Sequence, residues 1–314
     1  LMARMWTRPG SITPPTDPNL LNGLPVRNGL GSAGDNHGTS VAGVIAADGD
    51  NATGSTGIAP DAMLVSYRTL GAGSASTQAV FTQAIADGAA IVNGSYGRDT
   101  PFGADGPGLA AQQAFATQGR GGLGGLFVKS NGNERTEPGA PAPADGGGEA
   151  ANAFRYTIAV AALDNTGVVA SYSNPGGNLF ISGFGGEGDS LLATGQGVLA
   201  TDRAGPLNGY NNQPSPAGDY TGFNGTSAAA PTITGVIALM LEANRGLGHR
   251  DVQEILALSA RKTDPLAGTA GHDSMFRTPW LSNAAGNKDG GGWAFSHDYG
   301  FGLADAGAAT RLAE

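Results

Sequence analysis

A histidine, an asparagine and a serine each stand in a sequence context suited to nucleophilic catalysis. His37 lies in the run Asp-Asn-His-Gly-Thr-Ser-Val-Ala-Gly, Asn133 ends the run Ser-Asn-Gly-Asn, and Ser227 lies in Asn-Gly-Thr-Ser-Ala-Ala-Ala-Pro. A serine hydroxyl is a weak nucleophile near neutral pH and needs a base that removes its proton during attack. Imidazole titrates in that range, and an amide N–H stabilises the oxyanion formed from a carbonyl. These residue types predict acyl transfer where the fold brings them together.

The residues of these motifs and their order along the chain resemble those of the subtilase family, the subtilisin-like serine peptidases. The histidine and serine motifs are long and specific, whereas Gly-Asn alone would be weak, and the likeness runs from about residue 17 to the C-terminus. It implies a serine endopeptidase that hydrolyses peptide bonds through an acyl-enzyme on Ser227, with His37 as general base. It also implies an oxyanion hole made by Asn133 and a backbone N–H near Ser227.

Within that family the likeness is to the kexin-like branch. The segments that carry it are Leu241–Asn244, Arg250–Gln253 and Ser296–Gly302, together with Trp280. Kexin-like enzymes cut after paired basic residues and use carboxylates in the first pocket.

The acidic residues of that branch are largely absent here. The run Ser-Tyr-Gly-Arg-Asp-Thr-Pro lacks a double acid, although Asp99 is near, and the later acidic position falls at Gly148 and Glu149. Asn174 stands where the kexin-like pattern has Glu. We therefore do not predict cleavage after dibasic sequences.

Ser95, Tyr96 and Gly97 resemble the family segment that pairs with the substrate backbone as a strand. Such pairing gives affinity through main-chain hydrogen bonds without reading every side chain. The expected partners are polypeptide substrates. Because the family is usually secreted behind a signal peptide and made with an inhibitory propeptide, the resemblance also implies a propeptide before maturation and an extracytoplasmic location, secreted or at the cell surface.

A polar segment just before the run Gly-Ile-Ala-Pro resembles the family's calcium loop. The candidate ligands are the side chains of Asp48 and Asn51 and the backbone carbonyls of Thr53 and Ser55, because calcium prefers hard oxygen ligands. The resemblance thus implies a structural calcium ion. An ordinary turn rich in Asp, Asn and Gly is the alternative, and the family's further carboxylates for this site would lie upstream of the first residue.

The aspartate of the expected triad is not assigned within the sequence. Subtilases run Asp, then His, then Ser, and the family's aspartate motif ends in a His-Pro-Asp-Leu-like segment. Leu1 matches the end of that segment, so we expect the aspartate and the N-terminal strand of the domain to lie upstream. Asp17 lacks the family's Asp-x-Gly pattern, and Asp35 belongs to the histidine motif itself.

Composition limits the classes of function. The chain has 314 residues, no Cys and a formal net charge of −9. The sequence lacks the clustered Lys and Arg that a nucleic-acid surface needs, and no run reaches the roughly 18 apolar residues of a membrane span. We expect a single peptidase domain over residues 1–314, no nucleic-acid partner and no transmembrane segment.

Short apolar runs alternate with helical patterns along the chain. Continuous apolar runs are typical of buried parallel strands, and they predict strands at Met63–Arg68, Ala90–Asn93, Leu123–Lys129 and Tyr156–Ala162. Helices are predicted at Gly38–Ala47, Gln78–Asp87, Pro107–Gln118, Ser227–Asn244 and Arg250–Ala260. The alternation indicates an α/β, three-layer subtilisin-like fold with a mainly parallel sheet and helices on both faces. Pro231 is predicted in the first turn of the longest helix.

Structural roles compete with the catalytic ones. Ser227 is a residue type favoured as a helix N-cap, Asn133 beside a glycine is a typical turn residue, and Asn93 is expected to shape a turn. Packing or surface roles are expected for the other histidines, His249, His272 and His297. A truncated or decayed subtilase that binds peptides without turnover is the rival function. An α/β-hydrolase esterase is disfavoured because the sequence has no Gly-x-Ser-x-Gly.

Overall fold

Apolar residues at successive positions of the central strands point to opposite faces of one sheet, and helices cover both faces. The structure is a computed structural model. It describes the backbone of residues 2–4 and 12–13 and all atoms of residues 36–67, 69, 76–97, 105–135, 144–188, 197–205, 209–211, 213–269, 278–283 and 292–314.

The described ranges contain eleven strands and six α-helices. In chain order these are β1 (Met2–Arg4), β2 (Ile12–Thr13), α1 (His37–Ala46), β3 (Met63–Val65), α2 (Thr77–Ala86), β4 (Ile91–Gly94), α3 (Gly106–Gln118), β5 (Leu126–Ser130), β6 (Thr157–Leu163), β7 (Leu179–Phe184), β8 (Val198–Thr201), β9 (Tyr220–Phe223), α4 (Thr226–Ala243), α5 (His249–Ser259), β10 (Leu281–Ser282), β11 (Ala294–Phe295) and α6 (Ala306–Ala313).

The main sheet has seven strands in the order β2-β3-β1-β4-β5-β6-β7. Strands β4 to β7 are parallel, as are β2 and β3, whereas the short β1 runs antiparallel to both of its neighbours. Strands β8 and β9 form a separate antiparallel pair. The predicted α/β fold with a mainly parallel sheet is confirmed.

The two faces of β5 show why the fold has three layers. Val128 packs in the apolar cluster that contains Ile237 of α4. Phe127, one residue earlier, packs on the opposite face with Phe81 of α2 and Phe115 of α3, and the Phe81 and Phe127 rings meet edge to face at 5.0 Å. Successive side chains of a strand point to opposite faces, so a nearly continuous apolar run is buried on both sides.

Helix α4 is the core helix of the fold. Thirteen of its residues are buried, α6 packs against it, and α5 packs against α6. Among the described residues it is the one helix with the length and apolarity to span a membrane, and 72% of it is buried inside the fold. Its apolar character is therefore accounted for by packing against the sheet.

The predicted elements differ from the observed ones mainly at their ends. Each of the five predicted helices is present, with its first residue one position earlier than predicted, and each of the four predicted strands is present. The first of these strands was predicted to reach Arg68 but ends at Val65. Strands β1, β2 and β7 to β11 and helix α6 were not predicted.

Helix α1 packs against β8 through a residue that has no side chain. A Cβ at Gly43 would lie 2.1 Å from Thr201 Oγ1 and 2.8 Å from Thr201 N. The Thr201 hydroxyl donates a hydrogen bond to Thr39 O (2.9 Å), and the Ser40 hydroxyl donates to Thr201 O (3.0 Å). This close contact fixes the helix that begins at His37.

We expect Gly43→Ala to lower the free energy of unfolding by about 1–3 kcal/mol, because the methyl group overpacks the contact with Thr201. Gly38→Ala in the same helix is the matched control, since a Cβ there meets no atom within 4 Å. It should be neutral or stabilising by up to about 1 kcal/mol, because Ala is the better helix former. Urea unfolding measures both, and equal midpoints for the two variants would contradict the packing argument.

Candidate active site

Ser227 is the second residue of α4 and lies inside the helix. The N-cap position belongs to Gly225, whose φ of 96° lies in the left-handed region that favours glycine, and no side chain caps the helix. The expected alternative, a helix N-cap role for Ser227, is therefore wrong. Ser227 is partly exposed between the buried Thr226 and Ala228, so the serine reaches the surface at the helix start.

Pro231 lies in the second turn of α4 rather than in the first, where it was predicted, because the helix begins at Thr226. Proline has no N–H, so the helical hydrogen bond from residue 231 to the carbonyl of Ser227 is missing. The Ser95 hydroxyl donates to Ser227 O instead (2.9 Å). The proline thus frees a carbonyl that ties α4 to the residue after β4.

Asn133 is oriented by the start of α4. Its Oδ1 accepts hydrogen bonds from the backbone N–H and from the hydroxyl of Thr226, both at 2.8 Å. Because a backbone N–H only donates, the amide oxygen must face Thr226, which turns Nδ2 the other way. Nδ2 lies 3.3 Å from the point that a Cβ at Gly225 would occupy.

Two N–H donors flank the space beside Gly225. The backbone N of Ser227 lies 3.5 Å from the same point that Asn133 Nδ2 approaches. The Ser227 N–H belongs to the first helical turn, whose donors have no intrahelical partner, and no described residue accepts from it. Asn133 Oδ1 lies 3.6 Å from the same point and is bound by Thr226, so the groups left to meet an oxyanion there are the two N–H donors.

His37 begins α1 and packs at the end of β9. Its ring meets the Phe223 ring edge to face, with centroids 5.4 Å apart. Val41 of α1 shares an apolar cluster with Phe223 and with Ala228, the residue after Ser227. The structure therefore brings the first turns of α1 and α4 to one side of the molecule.

Comparison with known proteins agrees with this geometry. The sequence profile of the subtilase family matches residues 26–302. The chain belongs to the subtilase family.

Three relatives illustrate the match. The Aeromonas extracellular serine protease of Aeromonas sobria is 33% identical over 323 residues, covering 88% of this chain and 50% of the relative. Furin-1 of Xenopus laevis is 31% identical (88% of this chain, 31% of the relative), and the calcium-dependent protease of a Nostoc species is 31% identical (86% and 41%). The chain spans about half or less of the length of these relatives.

The match to solved structures supports the same fold. The crystal structure of the serine protease of Aeromonas sobria superposes with a TM-score of 0.75 at 28% identity, covering 98% of this chain and 56% of that chain. The subtilisin-like fold expected from the sequence is confirmed.

Asn93 has a role in this subtilase that the sequence did not indicate. It is buried in β4, where its Nδ2 donates to Ser95 Oγ (2.9 Å) and its Oδ1 accepts from the Thr234 hydroxyl (2.9 Å). The expectation that it shapes a turn is wrong. A chain of hydrogen bonds instead runs from Thr234 in the middle of α4 through Asn93 and Ser95 to the carbonyl of Ser227.

Asn174 braces the turn that carries Asn133. Gly132 has a φ of 105°, and the backbone N–H of Asn174 donates to Gly132 O (3.1 Å). The side chain of Asn174 accepts from Glu134 N (2.8 Å) and donates to the Glu134 carboxylate. The residue that departs from the kexin-like pattern thus holds the asparagine turn in place.

Tyr172 supports the other side of the helix start, a role that no sequence motif indicated. Gly225 N–H donates both to the Tyr172 hydroxyl (2.9 Å) and to Gly185 O (3.0 Å), and the hydroxyl donates to Gly185 O (3.0 Å) and to Gly186 O. Burial raises the pKa of Tyr172, which keeps the phenol protonated as a donor.

The predicted calcium loop contains a local turn. Asn51 Oδ1 accepts from Thr53 N (2.9 Å), and the Thr53 hydroxyl donates to Asn51 O (3.2 Å). The Asp48 carboxylate and the carbonyls of Thr53 and Ser55 accept no hydrogen bond from the described residues. Among all the described residues, no group of three or more His, Cys, Asp or Glu is placed to hold a metal ion. The candidate ligand atoms of the loop are all oxygens, which calcium prefers.

Two of the other three histidines, His249 and His297, lie among the described residues. His249 is buried and packs edge to face on Tyr156 at 5.8 Å, and His297 is exposed. His272, like Asp17, Asp35 and Leu1, lies outside the described residues.

Burial lowers the pKa of His37 from its ordinary value of 6.5 to about 4, so the imidazole is neutral at pH 7. Between these two values the unfolded chain binds a proton at this residue and the folded chain does not. Stability should therefore fall as the pH is lowered from 6.5 towards 4, with no further loss from this group below that range.

We expect His37→Gln to remove this part of the pH dependence. Urea unfolding of both proteins at pH 4.5 and pH 7.5 measures it, and the difference between the two proteins isolates residue 37 from the carboxylates that both share. The same change of stability with pH in the two proteins would contradict a neutral, buried His37.

Proposed function

We propose that this chain is the catalytic domain of a serine endopeptidase. One observation carries the proposal: Asn133 Nδ2 and Ser227 N converge beside Gly225, at 3.3 and 3.5 Å from the point that a Cβ there would occupy. Two convergent N–H donors beside a partly exposed serine at a helix start form a site for the oxyanion of acyl transfer. The subtilase relatives support peptide bonds as the substrate.

In the proposed mechanism, Ser227 Oγ attacks the substrate carbonyl carbon while His37 accepts the hydroxyl proton. The carbonyl oxygen becomes an oxyanion that accepts hydrogen bonds from Asn133 Nδ2 and Ser227 N. The C–N bond then breaks, and His37 gives the proton to the leaving amine. Water, deprotonated by His37, attacks the acyl-enzyme, and the C–O bond to Ser227 breaks as the serine regains its proton.

Ser95, Tyr96 and Gly97 follow β4 and are proposed to pair with the substrate backbone. Gly97 is exposed and Tyr96 is partly exposed, and the backbone groups of Ser95 and Gly97 make no hydrogen bond with the described residues. Because β4 lies inside the parallel sheet, this segment emerges at the carboxyl edge where α4 begins. An extended peptide there would bind by strand addition.

The furin relative supports a position near the kexin-like branch, and we propose that assignment without its dibasic preference. Glu149, the acid nearest to the expected pocket, is paired with Lys129 at 2.9 Å. The relative named as an extracellular protease supports an extracytoplasmic location. A propeptide that fills the cleft before maturation would bind through the same strand.

Ser227→Ala in the full-length protein should abolish labelling by a fluorophosphonate probe and lower kcat on peptides by about 10⁶-fold, because the nucleophile is lost. Asn133→Leu should keep the serine and lower kcat by about 10²–10³-fold with little change in KM, a magnitude already known from a member of this family. Mass spectrometry of the labelled peptide and steady-state kinetics measure these effects.

Ser259→Ala is the control, because that hydroxyl donates to Ile255 O within α5. A folded, unaltered full-length protein that resists labelling would support the non-catalytic peptide-binding module instead.

We also propose that calcium binds the loop through the Asp48 carboxylate, the Asn51 side chain and the carbonyls of Thr53 and Ser55. The calcium-dependent relative supports this, and the ion would stabilise the loop rather than take part in the reaction.

At a calcium concentration of 100 times Kd the folded state should gain about 2.7 kcal/mol. Asp48→Asn should reduce that gain, whereas Asp61→Asn, a nearby exposed acid, should not. Melting curves recorded with calcium and with a chelator measure this gain. Identical curves under the two conditions would overturn the proposed calcium site.

A further inference from the structure

Lys129 is a charged side chain in the core of the sheet. It is the fourth residue of β5, all of whose residues are buried, and its side chain is only 1% exposed. Among the residues that form the five strands β3, β4, β5, β6 and β7, Lys129 is the one charged residue. Burying a lysine is unfavourable unless its ammonium is paired and hydrogen-bonded, so its partners indicate what it is for.

The partners of Lys129 lie beneath the proposed substrate strand. Its Nζ donates to Tyr96 O (2.6 Å) and to Glu149 Oε2 (2.9 Å). The same ammonium lies 5.5 Å from the centre of the Tyr96 ring. Glu149 Oε2 in turn lies 3.4 Å from the point that a Cβ at Gly97 would occupy.

The three residues of this strand are thus held from one side. Ser95 Oγ donates to Ser227 O, the Tyr96 carbonyl is bound by Lys129, and Gly97 rests against Glu149. Carbonyls of an extended chain alternate in direction, so a Tyr96 carbonyl that points inward turns the carbonyls of Ser95 and Gly97 towards the cleft. Those are the groups that pair with a peptide.

We propose that Lys129 is a positioning and specificity-determining residue of this site. It holds Tyr96 so that Ser95 and Gly97 face the substrate. It also neutralises Glu149, so that the cleft beside Gly97 does not select a basic side chain. This inference rests on the proposed peptidase function and assigns it a substrate class: peptides whose side chain beside Gly97 is uncharged.

Three variants of the full-length protein separate the two roles. Glu149→Gln removes the Glu149 charge but keeps the bond of Lys129 to Tyr96. Lys129→Met leaves the Glu149 charge uncompensated and removes that bond. The double variant Lys129→Met with Glu149→Gln removes both charges and keeps the side-chain volumes. Lys262→Met is the control, because that lysine lies over the Trp280 ring, outside the residues of the proposed cleft.

Peptide substrates that carry Arg, Ala or Glu at each of the three positions before the scissile bond give the charge readout. At the position whose side chain lies beside Gly97, the ratio of kcat/KM for the Arg peptide to kcat/KM for the Glu peptide should fall about ten-fold in Glu149→Gln. The same ratio should rise about ten-fold in Lys129→Met. A ten-fold change is the size expected for one partly buried charge. In the double variant it should return to within about two-fold of the unaltered protein. Lys262→Met should leave the ratio unchanged.

The KM for extended peptides gives the positioning readout. It should rise several-fold in the double variant, in which Tyr96 O no longer accepts from Lys129 (2.6 Å) and keeps the longer bond from the Ser130 hydroxyl (3.5 Å), and stay unchanged in Glu149→Gln. The KM for a single-residue ester, which does not pair with the strand, should not change. Breaking one half of a buried ion pair is strongly destabilising, whereas replacing both halves is often neutral. Both single variants break one half of the pair, so the double variant tests the positioning role even where Lys129→Met or Glu149→Gln does not fold.

Fluorophosphonate labelling separates this inference from the proposed function. An unaltered protein that labels and cleaves peptides, with unchanged Arg-to-Glu ratios in Glu149→Gln and unchanged KM in the double variant, overturns the role of Lys129 and leaves the peptidase in place. A folded, unaltered protein that does not label overturns both.

Discussion

A proline one turn into the core helix is the constraint on which the site depends. Pro231 cannot donate to the carbonyl of Ser227, and a buried carbonyl without a partner costs about 1–3 kcal/mol. The Ser95 hydroxyl supplies the missing donor. With any other residue at position 231, the helix itself would supply a donor to Ser227 O, and no bond from Ser95 would be needed. The missing hydrogen bond therefore couples the nucleophile's own backbone to the segment proposed to bind the substrate.

The helix start is held by groups from several parts of the chain that meet at one edge of the sheet. Ser95 follows β4, Asn133 follows β5, Tyr172 lies between β6 and β7, and Phe223 ends β9. The carboxyl ends of parallel strands open to the same edge, which is where α/β folds place their sites. Gly225, Thr226 and Ser227 are hydrogen-bonded to different loops, Gly225 to Tyr172, Thr226 to Asn133 and Ser227 to Ser95, so several strand ends together fix the helix start.

The parts of this arrangement that depend on local pattern could be predicted from the sequence. Apolar runs indicated four of the strands, and three-four spacing of apolar residues indicated α4. The motifs identified the residues at the helix start. The helices begin one residue earlier than predicted because a first residue such as Thr226 has helical geometry without adding to the apolar pattern.

The parts that depend on distant partners could not be predicted. The β8–β9 pair joins short strands far apart in sequence, and its residue Thr201 matters because Gly43 lets α1 approach it. Asn174 was noticed as a departure from a family pattern, but its role depends on Glu134 and Gly132, which lie about forty residues away. Lys129 lies in an apolar run, and the sequence did not indicate a role for it. Its partners Tyr96 and Glu149 are distant in sequence and meet it only in the folded chain.

Burial of His37 sets a requirement on the chemistry. A pKa near 4 keeps the imidazole neutral and ready to accept a proton at pH 7. In the proposed mechanism the same burial opposes the imidazolium that would form when Ser227 attacks, because desolvation penalises the charged form. The proposed turnover would therefore need a negative charge in contact with His37 that stabilises the imidazolium and orients the ring. No described carboxylate forms an ion pair or hydrogen bond with His37, whereas Phe223 covers one side of the ring. The described residues thus supply the proposed oxyanion donors and the proposed substrate-binding segment, whereas the proposed proton transfer at His37 requires a group outside them.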